Sequence, residues 1–194
     1  MFGSAWIRIR KSVLLKGGRL YILTAAGLIT ALFAAVMLLP GGLELQVMPV
    51  KGGQPLLVLP LEPGERFTLH YYHSVENAPI WEEHSLDRKG RIFIEEERYL
   101  KFGAGMGRMP GVGRLVKKGP YEAIVDMHMP TGNFILRIGS RGVDHTIIWR
   151  GVQTNLSAVA PHQAVRFSAR TVSLLYSGWR RFFPHPATPV SGRN

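Results

Sequence analysis

Hydrophobic and polar positions follow different rhythms in successive parts of the chain. From Leu20 to Leu39 the run LYILTAAGLITALFAAVMLL carries no charge. Its roughly 20 residues, at 1.5 Å per residue, span the ~30 Å hydrocarbon core of a bilayer. A buried helix of a soluble protein would keep a polar stripe, and this run has none, so residues 20–40 are expected to cross a membrane. A cleaved signal peptide needs an apolar region of about 7–15 residues followed by small residues, whereas Val36-Met37-Leu38-Leu39-Pro40 is bulky. The reading is therefore an uncleaved signal anchor.

Past Pro40-Gly41-Gly42 the rhythm shortens to period two, in brief runs separated by glycine and proline. Strands are expected at Leu43–Val50, Pro55–Leu61, Arg66–His73, Ile80–Leu86 and Arg91–Glu97. Further strands are expected at Tyr121–Met127, Phe134–Ile138, His145–Arg150, Gln153–Leu156 and Ala164–Ala169. About ten short strands at this spacing predict an all-β domain over residues 43–169, either a β-sandwich or an open barrel. Between the two strand groups, Gly103, Ala104 and Gly105 lie in a glycine-dense stretch that reaches Gly111. No helix pattern follows, so a crossover loop fits better than a phosphate-binding loop.

A helical rhythm returns over residues 170–183, where Val172, Leu175, Tyr176, Trp179, Phe182 and Phe183 recur beside Arg170, Arg180 and Arg181. This basic amphipathic segment suits a membrane interface, or equally an apolar face docked on the β domain. The tail, residues 184–194, is rich in Pro, Thr, Ser and Gly and is expected to be disordered.

Charge changes the picture of location. The 24 Lys and Arg against 13 Asp and Glu give +11, which alone would suggest nucleic acid. However, Arg8, Arg10, Lys11, Lys16 and Arg19 precede the apolar run without an acid among them. By the positive-inside rule they orient residues 1–19 to the cytoplasm and the β domain to the outer side of the membrane. That placement removes the need for a nucleic-acid partner. The absence of cysteine excludes disulfides, thiolate zinc sites, cysteine nucleophiles and a lipoprotein anchor.

The densest candidate chemistry lies in FTLHYYHSVENAPIWEE, residues 67–83. Alternation places Phe67, Leu69, Tyr71 and His73 on one strand face and Thr68, His70, Tyr72 and Ser74 on the other. A turn through Glu76-Asn77-Ala78-Pro79 is expected to fold Glu82 or Glu83 back beside His73 and Glu76. His73, Ser74, Glu76, Glu82 and the distant His145 are the candidate ligand-binding residues. If they converge, two imidazoles and two carboxylates suit a divalent ion or a polar substrate; otherwise the corner is a hydrogen-bonded fold determinant. Neither a metal nor another cofactor is assigned. No catalytic residue is assigned either, because Ser74 and His73 point to opposite faces and would not pair as nucleophile and base.

In order along the chain, Tyr72-His73-Ser74-Val75-Glu76 with Pro79 and Glu82-Glu83, then Phe102-Gly103-Ala104-Gly105, then Asp144-His145-Thr146 resemble the domain-of-unknown-function 1850 family. These small bacterial extracytoplasmic domains are encoded beside, or fused to, the permeases of TAXI-type TRAP transporters. The resemblance runs roughly from Leu45 to Ala169, with Gly107 where the family would have proline. It implies a periplasmic domain at a bacterial inner membrane that works with the transporter permease or its solute-binding protein, and it implies no activity. With the apolar run naming the lipid membrane as a further partner and no nucleophile motif present, the expectation is an accessory or interaction protein rather than an enzyme.

Overall fold

A computed structural model describes residues 4–100 and 111–182. A single long helix, α1 (Ser4–Leu38), opens the chain, so the basic N-terminal segment and the apolar run are one continuous element. Within it, Leu20–Leu38 is long and apolar enough to cross a membrane, and none of it is buried against the protein. Such a helix fits a signal anchor or a signal peptide.

Twelve strands follow among the described residues. The first five are β1 (Pro40–Pro49), β2 (Leu57–Leu61), β3 (Arg66–Tyr72), β4 (Pro79–Leu86) and β5 (Ile92–Tyr99). Next come β6 (Arg114–Lys118), β7 (Tyr121–Val125), β8 (Met129–Pro130), β9 (Phe134–Arg137), β10 (Thr146–Trp149) and β11 (Val152–Asn155). A one-turn helix, α2 (Leu156–Val159), is capped by the Asn155 side chain. The chain then forms β12 (Ala164–Ser173) and α3 (Leu174–Phe182).

Two open antiparallel sheets result. One has the order β2-β1-β12-β9; the other runs β11-β10-β3-β4-β5-β7-β6, with β8 paired to β5. The sequence pattern foresaw neither β6 nor β8. The β6 segment has exposed Leu115 and Lys117 and gains its strand only by pairing with β7, while β8 is a two-residue pairing with β5. A second correction concerns residues 170–183: Arg170–Ser173 belong to β12, paired with Pro40–Glu44, and the helix starts only at Leu174. A partner strand more than a hundred residues away outweighs the local helical spacing there.

The core lies between the facing sides of the two sheets. Leu43, Leu45 and Val47 of β1 alternate inward with Val165 and Phe167 of β12, and they meet Phe67, Leu69, Leu86, Ile92 and Ile147 from the larger sheet. A column of stacked rings crosses the interface. Phe67 stacks on His84, with centroids 5.3 Å apart, His84 on Phe134 at 5.5 Å, and Phe134 on Phe167 at 4.6 Å. Burying each such phenylalanine contributes about 1.5–3 kcal/mol, with a further increment from ring stacking.

On the opposite face of β1, Glu44 is 1 % exposed beneath α3. It accepts hydrogen bonds from Arg170, its register partner on β12 (2.9 Å), and from Arg180 of α3. Tyr176 lies under both guanidinium groups, 5.7 and 5.8 Å from its ring. These contacts hold α3 across the start of β1, only Leu39 separating β1 from α1, and the Leu174 N–H donates to the Leu39 carbonyl (3.0 Å). Gly41 permits the close approach, because a Cβ there would fall on the Leu174 backbone.

Removing the acid would leave the part-buried Arg180 without its carboxylate. Glu44→Ala is expected to cost about 3–5 kcal/mol in denaturant unfolding. Arg170→Ala, at a half-exposed arginine, should cost roughly 1 kcal/mol or less. Equal losses would contradict the assignment of Glu44 as the clamp.

Candidate functional site

The β3–β4 hairpin forms where the alternation predicts it. Phe67 and Leu69 are buried, Tyr71 is half-buried, and the register pairs Tyr72 with Pro79, Tyr71 with Ile80 and Leu69 with Glu82. Between the strands, His73 N–H donates to the Ala78 carbonyl and Asn77 N–H to the His73 carbonyl, both at 2.9 Å. Asn77 takes the left-handed conformation (φ 46°) that its side chain tolerates. His73 and Glu76 do meet, but through the backbone: Glu76 N–H donates to His73 Nδ1 (3.2 Å).

Glu82 does not join them. Its register partner Leu69 sits four residues before His73, which places the carboxylate on the core face rather than at the corner. There Tyr71 Oη donates to Glu82 Oε1 (2.8 Å), and His84 Nε2 lies 3.2 Å from Glu82 Oε2. A β-bulge in β5 shifts the register between Glu83 and His84, so Glu97 and Tyr99 turn to this same face opposite Glu82 and Ile80. Tyr99 Oη donates to Glu97. Burial raises both tyrosine hydroxyls, which therefore stay protonated donors. His84, 2 % exposed, keeps Nδ1 without a hydrogen bond between its two stacked phenylalanines.

His145 comes from the residue just before β10 and is 6 % exposed. Its ring tilts against Tyr71, with centroids 5.0 Å apart, and its Nδ1 accepts the Gly139 N–H (2.9 Å). Its backbone N–H donates to Ser157 Oγ (3.0 Å). Burial lowers the His145 imidazole below its ordinary range, opposed by the Glu82 charge, and keeps it neutral.

A groove of about 360 Å³ opens at this end of the sheets, lined among others by Tyr71, His73, Ser74, Arg137, His145 and His162. Of the five residues singled out in the sequence, His73, Ser74 and His145 thus converge, while Glu76 and Glu82 do not line the groove. The two-imidazole, two-carboxylate set is therefore not assembled, and no group of three or more potential ligands suited to a metal exists among the described residues. Gly103, Ala104 and Gly105 lie outside the described residues. Sequence reading missed Arg137 and His162, which approach from β9 and from the α2–β12 turn. It also missed the inward turn of Glu97, because Glu95, Glu96 and Glu97 are consecutive and only the bulged register decides which of them faces inward.

Glu97 supplies a pH test. Burial raises its carboxyl above the ordinary 4.5, helped by the Glu82 charge and opposed by the Tyr99 bond and by His84. The native state therefore holds this proton more tightly than the unfolded chain, and stability falls as pH rises through 4.5 toward the folded value. Glu97→Gln removes that loss. Its stability relative to the parent should rise as pH increases from 4.5 in denaturant titrations, and a pH-independent difference would overturn the assignment.

No curated protein and no solved structure matches the chain. One family does, over a span narrower than the motif resemblance but holding the hairpin, Arg137 and His145: at residues 67–156 the chain carries a domain of unknown function, DUF1850.

Proposed function

We propose that the chain is a membrane-anchored periplasmic accessory protein of a TAXI-type TRAP transporter, contacting the permease or its solute-binding protein and performing no catalysis. The observation that carries this reading is the stiff junction: α1 passes into β1 through one residue, and α3 docks on that junction through Glu44. A domain joined without a flexible linker keeps a fixed pose over the membrane, which suits contact with an integral partner. Leu174, Leu175 and Trp179 of α3 are exposed beside the end of the apolar helix, a disposition that fits the headgroup region. The identity of the partner follows from the motif resemblance.

Convergence of His73, Ser74 and His145 on one groove favours a second reading, a small-molecule-binding module. The two readings are compatible, since an accessory protein can present a ligand site.

Orientation is tested with single cysteines. Ser140→Cys, at an exposed loop position, should be labelled by an impermeant thiol reagent on intact spheroplasts, and Ser4→Cys only after permeabilisation. The reverse pattern would overturn the topology. For the partner, affinity purification after crosslinking in native membranes should recover a TRAP permease or solute-binding protein, with yield reduced when Glu44→Ala releases α3. Recovery of the chain without either component would remove the transporter reading.

A further inference from the structure

At the end of the sheets remote from α1, the groove at the His73 turn adjoins a second hollow of about 490 Å³, and the two share Arg137 and His162. Lys51 lines the second hollow. The combined lining holds one lysine, one arginine and three histidines, and no Asp or Glu. Arg66, Arg91, Arg98, Arg114, Arg150, Arg170 and Arg180 each pair with a carboxylate, whereas Arg137, like Arg88, Arg141 and Arg166, has no ion pair among the described residues; of these four, Arg137 alone lines the groove.

The hydrogen bonds of the two inner histidines fix what they offer. Nδ1 of His145 accepts from Gly139 N–H and Nδ1 of His73 from Glu76 N–H, so each neutral ring carries its proton on Nε2. Neither Nε2 has a protein partner among the described contacts. Both rings therefore present N–H donors where they line the groove. His162 is pinned nearby in a left-handed conformation (φ 62°) by its N–H bond to the Ile138 carbonyl (3.0 Å). The closest acid in the same loop, Asp144, is engaged by Gly142 N–H and Asn155 Nδ2.

We propose that this groove binds a small oxyanion, a carboxylate or phosphate group, with Arg137 supplying the charge and the Nε2–H groups of His73 and His145 the oriented hydrogen bonds. A guanidinium clamps a carboxylate or phosphate through paired N–H donors, and neutral imidazole donors add direction without repelling one another. The assignment rests on the second reading above, that the groove takes a small molecule, and is independent of the transporter. The groove lies at the far end of the ten-residue β1, roughly 30 Å along the strand from α1, which favours a dissolved ligand over a headgroup of the anchoring membrane.

The test titrates the full-length protein in detergent by calorimetry with succinate, inorganic phosphate and a short-chain phosphatidylglycerol. Putrescine and glycerol serve as cationic and neutral counterparts. Saturable binding of at least one oxyanion is expected, weakened about tenfold or more by Arg137→Gln and by His73→Gln. Arg114→Gln, which removes one exposed charge elsewhere, should bind as the parent does. Arg137 is exposed at the end of an edge strand, so its substitution should leave the thermal transition in place, and that is measured alongside. Response to succinate, phosphate or the lipid alone identifies the source of the oxyanion. Unchanged affinity in Arg137→Gln, or an equal loss in Arg114→Gln, would overturn the site. Binding of putrescine or glycerol instead would overturn the oxyanion and keep the small-molecule reading; no saturable binding of any compound up to about 10 mM would remove both.

Discussion

The ring column Phe67–His84–Phe134–Phe167 is the contact on which the two sheets depend, and it has a polar member in the middle. An imidazole cannot be buried without hydrogen-bonding partners at little cost, so the column draws Glu82 into the core, and Glu82 in turn needs the Tyr71 hydroxyl. The β5 bulge adds Glu97 and Tyr99 to the same layer. A second, smaller apolar cluster of Ile80, Tyr99 and Ile124 closes over it. The hairpin that carries the densest chemistry in the chain is therefore anchored by its deep half, Phe67 to Leu69 and Glu82 to His84. Its shallow half, the His73 turn, is left to face a groove.

The two ends of β1 divide the labour. At the α1 end, a buried carboxylate gathers two guanidinium groups and an aromatic ring beside the junction with the apolar helix. A buried acid with two cations is a costly arrangement unless every partner is present, and for that reason it serves as a clamp with a defined geometry rather than as general adhesion. At the opposite end the sign reverses: cations and imidazole donors surround an opening with no acid in its lining. One sheet thus couples an arrangement with its charges satisfied internally to another whose donors remain available to a ligand.

Much of this was legible in the sequence. The uncharged run from Leu20 identified a helix able to cross a membrane, because length and apolarity are local properties. Ten of the twelve strands were placed to within a few residues, since short alternating or β-branched runs set off by turn residues are local signals. The His73–Glu76 contact was local as well, lying within a single turn. Tertiary structure decided what depends on partners far along the chain. Arg170–Ser173 became strand because Pro40–Glu44 lie beside them, overriding a helical spacing that is real only from Leu174 onward. Glu82 left the corner for the core because a hairpin register, not sequence proximity, sets which residues oppose one another. Arg137 and His162 reached the groove from separate elements, by a sheet order that no local pattern encodes. Periodicity specifies which way a side chain points on its own strand, whereas a site needs to know which strands become neighbours, and only the packing of the two sheets supplies that.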